Sequence, residues 1–324
     1  MKKTIKSILC VVLVASFVLA LAGCEKINYV TNGTIQAIKE VQDGSYKETG
    51  TESEGTDAGA ETVIEPFVAN TYGGVDFKTE EDVVNYYVEC YNNTKAQTAN
   101  YIDDQGQTVT FYKLVGEEKL NIESVLIEGS ENSMINSIVP GIVDGLFAAN
   151  VYGLPPCNNR NPELDNTSEN PTSAGVLDFR TSYFTPEDCQ ACNVKDNGDG
   201  TITIQIQPKP GQMSMRGEDS QGRFFEVLGD IGATVDSISM LSWASGTTEE
   251  NCLVKYQGGT GTITIDTASK TITAADYHMA VTVEVNHANV SVIKDKSASV
   301  QISYDMTYPA SDKYLMDAKQ LTRA

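Results

Sequence analysis

The sequence predicts an α+β fold, a largely antiparallel one-sided β-sheet covered by two or three helices, with a half-barrel-like curl as a variant. Two segments, 80–93 and 131–148, carry apolar residues at helical spacing. The last third holds one strand pattern after another. In two of those strands the alternation is strict, which gives a sheet one apolar and one wet face.

The chain opens MKKTIKSILCVVLVASFVLALAGCEK. Lys2, Lys3 and Lys6 precede an uncharged stretch of 14 residues, Ile8 to Leu21. A bilayer span needs about 20 residues, so this length suits a signal-peptide core. Leu21-Ala22-Gly23-Cys24 then resembles a bacterial lipobox. That resemblance implies cleavage before Cys24, acyl chains (palmitate among them) on Cys24, and anchoring to the cell membrane on its extracellular side. Two acyl chains make such anchoring stable, at about 0.8 kcal/mol per buried CH2.

Four segments are expected: a signal peptide at 1–23, a lipidated N-terminus and flexible tether at 24–65, a single α+β domain at 66–310 and a tail at 311–324. The run YKETGTESEGTDAGAET lacks apolar periodicity and suits a tether. Forty flexible residues span about 35 Å by random-coil scaling. Removing 1–23 takes three of the 23 basic residues and none of the 44 acidic ones, leaving a net charge of −24. Such a surface repels nucleic acid and anionic lipid, so no nucleic-acid partner is expected.

Within the domain, Thr79 is placed to cap the first helix, with Glu80, Glu81 and Asp82 in its first turn. Val83, Val84, Tyr87, Cys90 and Tyr91 mark its buried face. Segments 108–115 and 119–125 read as strands. The helix at 131–148 repeats apolar pairs every four residues, and Pro140 should kink or divide it. Residues 150–180 form a long irregular connection. Thr185-Pro186-Glu187-Asp188 is a capped turn, 208–222 a polar loop and 223–229 a short helix. The strand candidates that follow are 251–257, 261–266, 270–285, 287–293 and 298–308.

Residues 195–206, KDNGDGTITIQI, look at first like a calcium loop. With Gly200 at the sixth position, Lys195 falls on the first ligand position and Ile206 on the last, where a bidentate Glu is needed. The predicted element is a hairpin loop at 196–200 with Gly198 or Gly200 at positive φ. No metal and no cofactor are expected. His278 and His287 read as surface residues, and Trp243 as a core residue.

Seven cysteines are present; five remain beyond the lipobox, Cys90, Cys157, Cys189, Cys192 and Cys252. Candidate bridges are Cys192 to Cys252, or Cys157 to Cys189 or Cys192, with free buried thiols as the alternative. Cys189-Gln190-Ala191-Cys192 follows a helical turn and leads into a strand. A thioredoxin-like pair instead opens a helix after a strand, so the motif does not read as a redox catalyst.

The capped helix TEEDVVNYYVECYN, the T-P-E-D turn, the K-D-N-G-D-G-T-I-T-I hairpin and the run ITIDTASKTITAADYHMAVTVEV together resemble a group of uncharacterised surface lipoproteins of Gram-positive anaerobic bacteria. The resemblance covers most of 77–308 and implies a location, not an activity. More distantly, a one-sided sheet backed by helices resembles half-barrel lipoprotein carriers that hold an acyl chain. The expected function is therefore that of a monomeric, lipid-anchored extracytoplasmic protein, a non-enzymatic binding or envelope component. A carrier of a lipid or other amphiphile, and an envelope-polymer hydrolase, stay as alternatives; no catalytic residue is singled out.

Overall fold

The computed structural model describes residues 61–102, 106, 108–131, 151–154, 181–229, 231–236, 241–290 and 293–311. The signal segment, Cys24, the helix expected at 131–148, most of the 150–180 connection and Cys157 lie outside the described residues.

A hairpin of β1 (Asn70–Tyr72) and β2 (Val75–Phe77) leads into α1 (Glu80–Lys95). Thr79 caps α1 as expected. Its hydroxyl accepts from the Asp82 amide at 3.2 Å, and the Asp82 carboxylate accepts from the Thr79 amide at 2.8 Å. This reciprocal pair satisfies two amides the helix start would leave orphaned. β3 (Thr98–Ile102) and β4 (Thr108–Tyr112) form a second hairpin. The main sheet then takes β5 (Gly116–Ile127), β6 (Ser130–Glu131), β7 (Val151–Tyr152), β8 (Cys189–Asp196), β9 (Thr201–Pro208) and β10 (Gly211–Gln212). After α2 (Ile231–Asp236) come β11 (Leu241–Trp243), α3 (Thr248–Asn251), β12 (Cys252–Tyr256), β13 (Thr260–Asp266), β14 (Thr271–Val290) and β15 (Ile293–Tyr308).

Among the described residues the main sheet has 11 strands: seven run in the order β6-β5-β15-β14-β13-β9-β8, β7, β10, β11 and β12 branch from that path, and neighbours pair antiparallel. β14 is 20 residues long. One of its edges pairs with β15, and the other serves β13, β12 and β11 in succession. The break expected near residue 286 is a bulge inside β14. The register shifts between Val285 and Ala288, and His287 takes φ 52. An inserted residue disturbs the alternation without ending the strand.

The alternation fixes the two faces. Tyr277, Met279, Val281, Val283 and Val285 are buried, as are Val300, Ile302, Tyr304, Met306 and Tyr308. α1 lies on this face and inserts Tyr87, whose hydroxyl meets that of Tyr277 at 3.0 Å. Around them Phe224 packs at ring-centroid distances of 4.9 Å from Phe184 and 5.4 Å from Tyr277. Tyr308 closes on Tyr277 edge-on at 6.2 Å.

This packing corrects the expected fold class. Among the described residues the protein is mostly β, with 51% strand against 14% helix, and not a sheet covered by two or three helices. Among the described residues α1 is the one long helix. Aromatic side chains from the connections take over the covering role. The helix expected at 223–229 is a turn, with the Phe225 amide donating to the Gln221 carbonyl at 2.8 Å. So short a segment cannot sustain a helix against the demand to bury Phe224 and Phe225 together.

Residues 61–65, placed in the tether by sequence, are held along the edge of the sheet. The Val63 amide donates to Gln207 Oε1 at 2.9 Å, and Gln207 Nε2 donates to the Glu61 carbonyl at 2.8 Å. Asn193 Nδ2 donates to the Glu65 carbonyl at 3.0 Å.

Candidate functional site

The wet face of the long strands carries a connected group of chemically capable side chains. His278 on β14 stands opposite Asp305 on β15, and Ser303 on β15 stands opposite Asn121 on β5. A bulge in β5 makes Glu123 the extra residue between Ile122, opposite Ile302, and Ser124, opposite Gln301. The bulge turns Glu123 toward Ser303.

The contacts form one chain. His278 Nδ1 meets Asp305 Oδ1 at 2.6 Å. Asn121 Nδ2 donates to Asp305 Oδ2 at 2.8 Å and to Ser303 Oγ at 3.2 Å. Ser303 Oγ donates to Glu123 Oε1 at 2.7 Å. Asp305 beside the imidazole holds the His278 pKa above its ordinary value, while partial burial opposes the shift. With Nδ1 engaged, neutral His278 offers Nε2 as an acceptor, and the protonated ring offers a second donor. The His278 side chain is 48% exposed, so the imidazole is in reach of solvent.

The imidazole of this arrangement meets Asp305, and Ser303 meets Asn121 and Glu123. A serine nucleophile needs its hydroxyl on the imidazole, but Ser303 gives its proton to Glu123 and is 3% exposed. Both oxygens of Asp305 are occupied. A general-acid carboxylate needs a raised pKa. Five carboxylates move the other way. Backbone amides lower Asp82, Glu128 and Asp196, and hydroxyl donors lower Asp199 and Asp266. No family model, curated protein or solved structure matches the chain, so the site rests on its own geometry.

The remaining sequence candidates fall elsewhere. Cys192 on β8 and Cys252 on β12 are both free, buried thiols, so the bridge between them is not made. The two strands are not sheet neighbours, since β12 branches from β14 while β8 is at the far edge. Burial pushes the thiols of Cys90 and Cys252 up to about 12, which keeps them protonated and unreactive near neutrality. Trp243 is half-buried against the core, with Nε1 donating to Thr248 Oγ1 at 2.8 Å.

The 196–200 hairpin forms as predicted, with φ 78 at Gly198 and φ 88 at Gly200. Its carboxylates serve the loop itself. Asp196 Oδ1 accepts from the Gly198 amide at 2.8 Å, and Asp199 Oδ1 accepts from Thr201 Oγ1 at 2.6 Å. Among the described residues no group of three or more His, Cys, Asp and Glu converges to hold a metal ion.

Sequence reasoning missed the His278–Asp305–Asn121 cluster. It read His278 as a surface residue but paired it with nothing. Aligning the two strict alternations puts Asp305 opposite His278, so that half was recoverable. Asn121 was not, because it enters through the position of β5 in the sheet.

Proposed function

We propose that this protein is a lipid-anchored extracytoplasmic component that binds a polar partner through the wet face of its long sheet. The observation that carries the binding half is the His278–Asp305–Asn121 cluster. Its internal groups satisfy one another through Nδ1, while the His278 side chain stays half-exposed. Support for the anchoring half is Leu21-Ala22-Gly23-Cys24 at the end of an uncharged stretch. A net charge of −21 over the whole chain favours an uncharged or cationic partner. The aromatic packing on Tyr277 leaves no room there for an acyl chain, which weighs against the carrier alternative.

Two measurements test the two halves. Mass spectrometry of the chain extracted from membranes should find acyl chains on Cys24, and Cys24→Ser should release the protein into the soluble fraction. An unmodified Cys24 in membrane-extracted chain overturns the anchor. For the face, co-sedimentation of the purified chain with isolated cell-envelope polymer should weaken several-fold in His278→Gln. Unchanged binding in that variant, or release of soluble polymer fragments by the native chain, overturns the binding face.

A further inference from the structure

β8 is the edge strand of the sheet, and it begins with a bulge. Cys189 stands opposite Pro208, Ala191 opposite Gln207 and Cys192 opposite Ile206, which leaves Gln190 as the extra residue. In a regular strand, residues three apart point to opposite faces with Cα atoms about 10 Å apart. The bulge changes both relations. Cys189 and Cys192 oppose residues two apart on β9, so their thiols fall on the same face. Their Cα separation shrinks toward two strand steps, about 6.6 Å. A disulfide spans roughly 4.4–6.8 Å between Cα atoms, so the bulge brings the pair within reach.

The surroundings support the pairing. Cys189 is half-buried and open to small reagents, whereas Cys192 is buried beneath the start of α1. Cys192 Sγ lies 3.8 Å from the Glu80 carbonyl oxygen, and Cys189 Sγ lies 3.2 Å from that of Ala191. The thiol pKa of Cys192 is pushed up first by its hydrogen bond with Cys189 and then by burial.

We propose that Cys189 and Cys192 form a reversible disulfide within one strand, driven by exchange with a small-molecule disulfide. The Cys189 thiol loses its proton, and its sulfur attacks one sulfur of the reagent, releasing the first small thiolate. Cys192, deprotonated in turn, attacks the mixed disulfide at Cys189 and releases the second. The two protein thiols are oxidised, the reagent disulfide is reduced to two thiols, and the two protons leave on them. The closed loop is too short to restrain the unfolded chain much, so the bond acts locally. It locks the bulge whose Gln190 Nε2 reaches Thr62 Oγ1, at 3.4 Å, in the segment held along the sheet edge. The pairing is independent of the lipid anchor and of the wet face.

The test uses the full chain, first reduced and then held folded in excess oxidised glutathione, with alkylation by iodoacetamide before trypsin digestion. The peptide 181–195, bounded by Arg180 and Lys195, contains both cysteines. It should be lighter by two hydrogens, carry no alkyl group and revert with dithiothreitol. Cys192→Ser should trap glutathione on Cys189. Full alkylation of both cysteines in the native chain would falsify the proposal. So would lasting glutathione on native Cys189, or a bond from Cys189 to another cysteine.

Discussion

Phe224→Ala tests whether the apolar face of the sheet is a filled core. The side chain is 0% exposed. Its ring touches those of Phe184 and Phe225 at 4.9 Å, Tyr277 at 5.4 Å and Tyr87 at 5.7 Å. Neighbours so tightly placed from both α1 and the sheet cannot collapse into the space left behind. The loss should therefore fall within the range for a fully buried Phe→Ala, about 4 kcal/mol. With a urea m-value of about 3 kcal/mol/M, the midpoint should drop by about 1.3 M at constant slope. Gly261→Ala probes the same space from the other side. A Cβ there would lie 2.6 Å from Phe224 Cζ, so alone it should cost about 2 kcal/mol. In the Phe224→Ala background most of that cost should vanish, because the obstructing ring is gone. A loss below about 1 kcal/mol for Phe224→Ala would mean that the ring borders an existing void. The amphiphile carrier would then return as a live reading.

The other predictions concern protons and caps. Because folding raises the His278 pKa, its stabilising contribution is complete below the unfolded imidazole value, about 6.5, and is lost as pH rises through the folded value. The ring is half-exposed, so the effect should be no more than a few tenths of a kcal/mol after screening. An imidazole titration followed by NMR should place the His278 midpoint above the ordinary value, and Asn121→Ala should change it; an unshifted native midpoint refutes the pairing. Thr79→Ala should cost about 1 kcal/mol in thermal or urea unfolding by removing the helix cap. The Asp82 pKa is lowered by the Lys78 and Thr79 amides, so its support is present above the unfolded carboxylate value and fades as pH falls through the folded one. Asp82→Asn should flatten that acid limb of the stability profile, and an unchanged limb refutes the assignment.

Much of the sheet was legible because its signal is local. The alternation of β14 and β15 identifies both faces residue by residue. Thr79 and Asp82 announce the helix start, and glycines at the tight loop announce the hairpin. The cover was not legible, because it comes from aromatic residues in segments without periodicity. Phe184, Phe224 and Tyr308 meet on Tyr277 only after the sheet has set their spacing. The same holds for the wet face. His278 and Asp305 are 27 residues apart and can be aligned by hand, whereas Asn121 and Asp305 are 184 apart.

Bulges account for what alternation could not show. Each inserts one residue and re-aims its neighbours, so the period-two pattern that reveals a strand conceals the bulge within it. At His287 the insertion makes one strand look like two. At Glu123 it turns a carboxylate onto Ser303, which donates its hydroxyl proton to it. At Gln190 it moves Cys189 to the face that Cys192 occupies. A C-x-x-C in an unbulged strand would be two unrelated thiols. The spacing alone says nothing about pairing; the one-residue mismatch with β9 gives it chemical meaning. Deleting Gln190 should therefore restore the regular register with the two cysteines two residues apart on one face, Cα atoms about 6.6 Å from each other, and the variant should still oxidise. If that deletion variant oxidises as readily as the native chain, the Cα spacing is sufficient and the bulge matters only for the spacing it creates.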